Sequence, residues 1–137
     1  MIKKLGLLAI AAPVLALLAA APAQAAGQPM YNPDAIQVPA GKGIDAVKKA
    51  IRKACFDKEW EVREIGAGHI QAKHSKTGRD KTHVAVVNIR YDAKSVRISY
   101  KDSQELNYDA GAKTIHKTYN GWVRYLEKNI RSNLGAY

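Results

Sequence analysis

Cysteine occurs once in this chain, at Cys55. A single thiol cannot close an internal disulfide, so the fold must hold by packing alone. Cys55 also lies far beyond the leading apolar stretch, and so cannot be a lipidated first residue. Acidic side chains are few, 12 Asp and Glu against 22 Lys and Arg. Also missing are a phosphate-cradling glycine loop, a catalytic carboxylate pair, a zinc-ligand motif and a glycine-flanked serine elbow. No cofactor is expected on these grounds, and a non-enzymatic role is favoured.

Only one long apolar run is present. Met1 to Lys4 is a short basic start, Leu5 to Leu18 is almost unbroken Leu, Ala, Ile and Val, and Ala23-Gln24-Ala25 has the small-x-small form of a signal peptidase site. The run is shorter than the roughly 20 residues a spanning helix needs. Residues 1–25 therefore read as a secretory signal peptide, and a periplasmic or secreted protein is expected. The remainder is long enough for one domain with a modest core. Without Lys3 and Lys4 its net charge is about +8. Such an excess suits anionic lipid or polysaccharide surfaces, and export argues against nucleic acid.

Residues 26–42 hold Pro29, Pro33, Pro39 and Gly41 without periodicity and read as a flexible N-terminal arm, little ordered before Ile36. Residues 43–137 form the single domain. In it Ile44, Val47, Ile51, Ala54 and Cys55 mark one face of a helix over 44–56, with Lys48, Lys49, Arg52 and Lys53 on its outer side. Cys55 falls on the apolar stripe, which predicts burial; exposure would instead permit pairing between chains.

From Trp60 the period changes to two. Residues 60–65 and 69–74 read as a hairpin turned at Gly66-Ala67-Gly68, with a bulge near Glu64. After a polar loop at 75–81, residues 83–91 and 95–101 give two further strands. A second helix is predicted over 112–134, its stripe formed by Ile115, Tyr119, Trp122, Val123, Leu126, Ile130 and Leu134. Gly121 inside it suggests close approach of a neighbouring backbone. The expected architecture is α+β in the order α-β-β-β-β-α, a four-stranded antiparallel meander with both helices packed on one face.

The succession Trp60-x-Val62, Gly68-x-Ile70-x-Ala72, His83-x-Ala85-x-Val87-x-Ile89-x-Tyr91, Tyr100-x-Asp102-Ser103-x-x-Leu106, Ile115 and Tyr119-Asn120-x-Trp122-Val123-x-x-Leu126 resembles a family of small exported bacterial proteins. Many of its members are Gram-negative lipoproteins. The resemblance implies an exported α+β fold and, the family having no assigned activity, supplies no catalytic residue. The missing lipidation cysteine sets this chain apart from the lipoprotein members.

Three constellations bear on function. Pairing Ile70 with Val87 and Ala72 with Ala85 would place His74 opposite His83, the starting point for a metal-dependent or hydrolytic enzyme, although zinc needs three or four ligands. Ser103 beside Asp102 reads as turn chemistry, and Tyr119-Asn120-x-Trp122 as core packing in preference to a sugar platform. The helix-free sheet face gathers Arg63, Gln71, Lys73, Val84, Val86, Asn88, Arg90, Arg97, Ser99 and Lys101. Of these, Arg63, Lys73, Asn88, Arg90, Arg97 and Lys101 are the candidate binding residues for an envelope protein or an anionic lipid or polysaccharide surface. A homodimer through the two valines and a structural subunit of an envelope assembly are the other readings of that face.

Overall fold

The computed structural model describes residues 27–137; the expected signal peptide lies outside the described residues. In chain order the backbone forms β1 (Gln28–Pro29), β2 (Ile36–Gln37), α1 (Ile44–Asp57), β3 (Glu61–Gly66), β4 (His69–Thr77), β5 (Thr82–Tyr91), β6 (Ser95–Gln104), β7 (Thr114–Ile115) and α2 (Lys117–Leu134). The strands β3 to β6 make the expected antiparallel meander. The four-stranded sheet is nevertheless a five-stranded one, ordered β2-β6-β5-β4-β3, and β1 with β7 forms a separate two-stranded ribbon. Strands of two residues are too short to show alternation, which is why the arm's proline-rich composition hid them.

The arm is accordingly not loose. Ile36 is fully buried and pairs with Val96, and Gln28 and Pro29 pair with Ile115 and Thr114. Asn120 of α2 completes the attachment: its Oδ1 accepts the Tyr31 amide at 2.8 Å and its Nδ2 donates to the Pro29 carbonyl at 3.0 Å. The Tyr31 hydroxyl donates to Glu127, and the Arg124 guanidinium lies 3.8 Å from the centre of the Tyr31 ring. Residues 28–38 thus form a strap pinned at both of its short strands and along α2.

Alternation in β4, β5 and β6 turns Ile70, Ala72, Ala85, Val87, Ile89, Val96 and Ile98 inward. There they meet Val47, Ile51, Ala54 and Cys55 of α1 and Tyr119, Val123, Leu126, Ile130 and Leu134 of α2 in one core. Each large side chain so buried contributes at most about 1.5–3 kcal/mol. The second helix starts later than its stripe suggests. Ile115 is buried from β7, and the His116 side chain caps the helix by accepting the Thr118 amide at 3.0 Å.

Both helices end in one motif. After α2 the amides of Gly135 and Ala136 return to Ser132 and Arg131, and Gly135 takes the left-handed conformation at φ 73°. After α1 the amides of Glu59 and Trp60 return to Phe56 and Cys55, but the left-handed position, φ 62°, is filled by Glu59. A side chain there costs on the order of 1 kcal/mol that glycine avoids. The turn seats Trp60 in the core beside Cys55. Gly121 needs no close neighbour, because an added Cβ there meets nothing within 4 Å.

Two bulges adjust the sheet. One falls between Glu64 and Gly66 of β3, near the position expected, and the other makes Lys101 the extra residue of β6, between Tyr100 opposite Val87 and Asp102 opposite Val86.

Candidate functional site

The sheet face turned away from the helices is organised in rows, because directly paired residues on neighbouring strands stand about 4.5–5.5 Å apart. At one end His69, Arg90 and Arg97 are consecutive partners across β4, β5 and β6. The next row is Arg63, Gln71, Asn88 and Ser99, and the third is Glu61, Lys73, Val86 and Asp102. Arg63, Lys73, Arg90 and Arg97 are all exposed.

The predicted residues are therefore brought together with different weights. Arg90 faces Arg97 with no carboxylate within ion-pairing distance of either among the described residues. Lys73 faces the carboxylate-bearing Glu61 on the neighbouring strand, so its surroundings are less uniformly basic than those of the two arginines. Asn88 is already engaged, its Oδ1 accepting His69 Nε2–H at 2.8 Å and, more weakly, Gln71 Nε2–H at 3.4 Å. Lys101 is displaced into the bulge, and Asp102 takes the position opposite Val86 that alternation had given to the lysine. His69 alternates with Gln71 and Lys73, and its place beside the two arginines emerges only from the pairing with Arg90.

Two adjoining hollows mark the face. A hollow of about 340 Å³ touches Glu61, Arg63, Gln71, Lys73 and Val86. A second of about 220 Å³ adjoins it through Lys73 and Val86 and reaches Asp102 and Gln104. The two hollows share Lys73 and Val86 and so run on across the strands, which leaves room for an extended partner to lie over both.

The histidine pair does not form. Ile70 pairs with Ile89, Ala72 with Val87 and His74 with Ala85, a register two residues away from the expected one, so His83 faces Lys76 instead. Strands β4 and β5 run on to Thr77 and Thr82, and only residues 78–81 remain as loop, which moves the pairing. A shift of two keeps every side chain on its face while separating the histidines. Among the described residues no group of three or more His, Cys, Asp or Glu is placed to hold a metal ion.

His74 instead packs against Trp60 and Trp122, with ring centroids 5.3 and 4.4 Å away. Its Nδ1 lies 3.1 Å from the Glu59 carbonyl, and since a carbonyl only accepts, Nδ1 carries the proton. The sugar-platform segment divides likewise: Tyr119 is core, Asn120 holds the strap, and only Trp122 reaches a surface cleft. Ser103 is not in a turn: it lies within β6 opposite Ala85, its amide donating to Asp102 Oδ1 at 2.8 Å and its hydroxyl sharing a hydrogen bond with Tyr100.

Cys55 is fully buried, and desolvation pushes its thiol up to about 12, with Arg52 opposing weakly. A thiol so placed is neutral and inaccessible, and pairing between chains would require α1 to come away from the sheet. The chain matches no protein-family model and no curated protein. Function is therefore argued from the geometry of this chain.

Proposed function

We propose that the domain is an exported, non-enzymatic binding module of the cell envelope that engages an anionic partner through the open sheet face, with Arg90 and Arg97 as the principal contacts and His69 and Arg63 beside them. The observation that carries this reading is the direct pairing of Arg90 with Arg97. Like charges directly opposite one another destabilise a sheet. A counter-charge brought by a partner relieves that repulsion and gains two guanidinium forks suited to carboxylate or phosphate oxygens. The rows behind them, with two hollows adjoining through Lys73 and Val86, support an extended partner such as a surface or a polymer.

The test compares the mature domain with its Arg90→Ala/Arg97→Ala variant for sedimentation with phosphatidylglycerol vesicles, with phosphatidylcholine vesicles as control, and for retention on an acidic polysaccharide. A basic residue near an anionic surface is worth roughly 1 kcal/mol, so losing two weakens binding roughly thirtyfold. Binding should also fall steeply with added salt. Equal retention of both proteins on every anionic surface would remove the sheet face as the contact.

A further inference from the structure

The wall of the molecule that carries His74 bears a second feature, independent of the open face. Lys58, Trp60, His74, Trp122 and Tyr125 line a cleft of about 150 Å³. Both tryptophans of the chain are among these five residues. Tyr125, one turn of α2 beyond Trp122, is 61% exposed, a large aromatic surface left in solvent where a helix exterior ordinarily carries polar side chains. Lys58 Nζ stands 5.5 Å from the centre of the Tyr125 ring.

We infer that this cleft is a small-ligand site for a single sugar ring bearing a carboxylate. The volume is well below the roughly 300–1,000 Å³ of sites for drug-sized molecules, which restricts the occupant to about one ring. The rings do not form a closed stack: His74 is tilted 37° to Trp60 and 75° to Trp122. His74 and the 4% exposed Trp60 are packed on one another as the floor, so the open aromatic surface is that of Tyr125 beside Trp122, which suits the C–H face of a pyranose whose hydroxyl edge stays polar.

Two groups supply polarity. The proton on His74 Nδ1, held by the Glu59 carbonyl, leaves Nε2 as an acceptor of a hydroxyl in the neutral ring. Lys58 brings three donors and a positive charge, which excludes a cationic guest and favours a carboxylate. The left-handed Glu59 sits between Lys58 and Trp60 and fixes the carbonyl that orients His74, so backbone strain falls where the cleft is built.

Trp122 at the cleft surface, with the 4% exposed Trp60 on its floor, makes the site self-reporting. Titrating the mature domain with glucuronate, and separately with glucose, should change the tryptophan emission saturably. The Kd for glucuronate is expected on the order of 1 mM, given the small size of the ligand. Glucose should bind several-fold more weakly. Lys58→Ala should weaken glucuronate at least about fivefold and leave glucose unchanged, because it removes only the charge contact. Tyr125→Ala should weaken both, whereas Arg90→Ala/Arg97→Ala should alter neither, separating this site from the open face. Both single substitutions are at solvent-facing positions, and indole N–H shifts in NMR spectra provide a second reading of occupancy. The inference is overturned by the lack of a saturable response up to about 50 mM glucuronate, some fifty times the expected Kd. It is equally overturned by an unchanged Kd in Lys58→Ala.

Discussion

Asn120→Ala is the sharpest test of how the two ends of the domain are joined. The side chain is 6% exposed and makes two hydrogen bonds to the strap, to the Tyr31 amide at 2.8 Å and to the Pro29 carbonyl at 3.0 Å. At about 0.5–1.5 kcal/mol net for each, the substitution should cost roughly 1–3 kcal/mol. The upper end is capped, because the strap can peel from α2 and let water satisfy the freed groups. Urea unfolding then distinguishes two outcomes: a lower midpoint with an unchanged slope if the strap stays, and a lower midpoint with a shallower slope if it is already released in the native state. Asn120→Asp isolates one bond, since a carboxylate still accepts the Tyr31 amide but cannot donate to Pro29. Hydrogen exchange at the Tyr31 amide should be fast in the alanine variant and slow in the aspartate variant. Unchanged stability together with a protected Tyr31 amide in Asn120→Ala would refute the role given to this residue.

Gly121→Ala should stabilise the domain by about 0.5–1 kcal/mol, raising the thermal midpoint, because alanine is the better helix former and its methyl meets nothing within 4 Å. Arg97→Glu should convert the repulsive pair with Arg90 into an attractive one, raising stability by about 0.2–1 kcal/mol while abolishing retention on anionic surfaces; stability and binding would move in opposite directions. Cys55 should resist a thiol reagent at pH 8 until the domain unfolds. Its folded pKa is raised, so the stabilisation tied to the neutral thiol is complete below pH 9 and is lost between pH 9 and about 12, where the unfolded thiol ionises first; Cys55→Ser should flatten that decline.

What could be read from the residues was what repeats. His83 to Tyr91 alternates over nine positions, and of its inward set Ala85, Val87 and Ile89 are fully buried and His83 and Tyr91 half-buried, although Val84 on the opposite face is buried as well. The stripe of α2 from Tyr119 to Leu134 is equally legible, although Ile115 joined it by coincidence of spacing and packs from a strand. Register was harder, because alternation is unchanged by a shift of two, and such a shift separated His74 from His83. The bulge that displaced Lys101 leaves no local mark, since Lys101 and Asp102 are both polar and only the pairing of β5 with β6 reveals which is extra. Asn120 reads as part of a core segment because it adjoins the apolar stripe, and nothing local signals its hold on the strap. Its partners lie 89 and 91 residues away.

That separation also orders events during synthesis. A chain made from its N-terminus presents Pro29 and Tyr31 long before Asn120 and Glu127 exist, so the strap can pair through β2 with β6 and through β1 with β7 but cannot close along α2 until the last helix has been made. Contacts that span most of a chain are slow to form, and those holding the strap join its two extremes. The meander from Glu61 to Gln104 has neighbours close in sequence and can pair first. The completed domain then behaves as a clasp: truncating α2 removes one packed helix and simultaneously releases the middle of the strap, which stays attached only through its two short strand pairings.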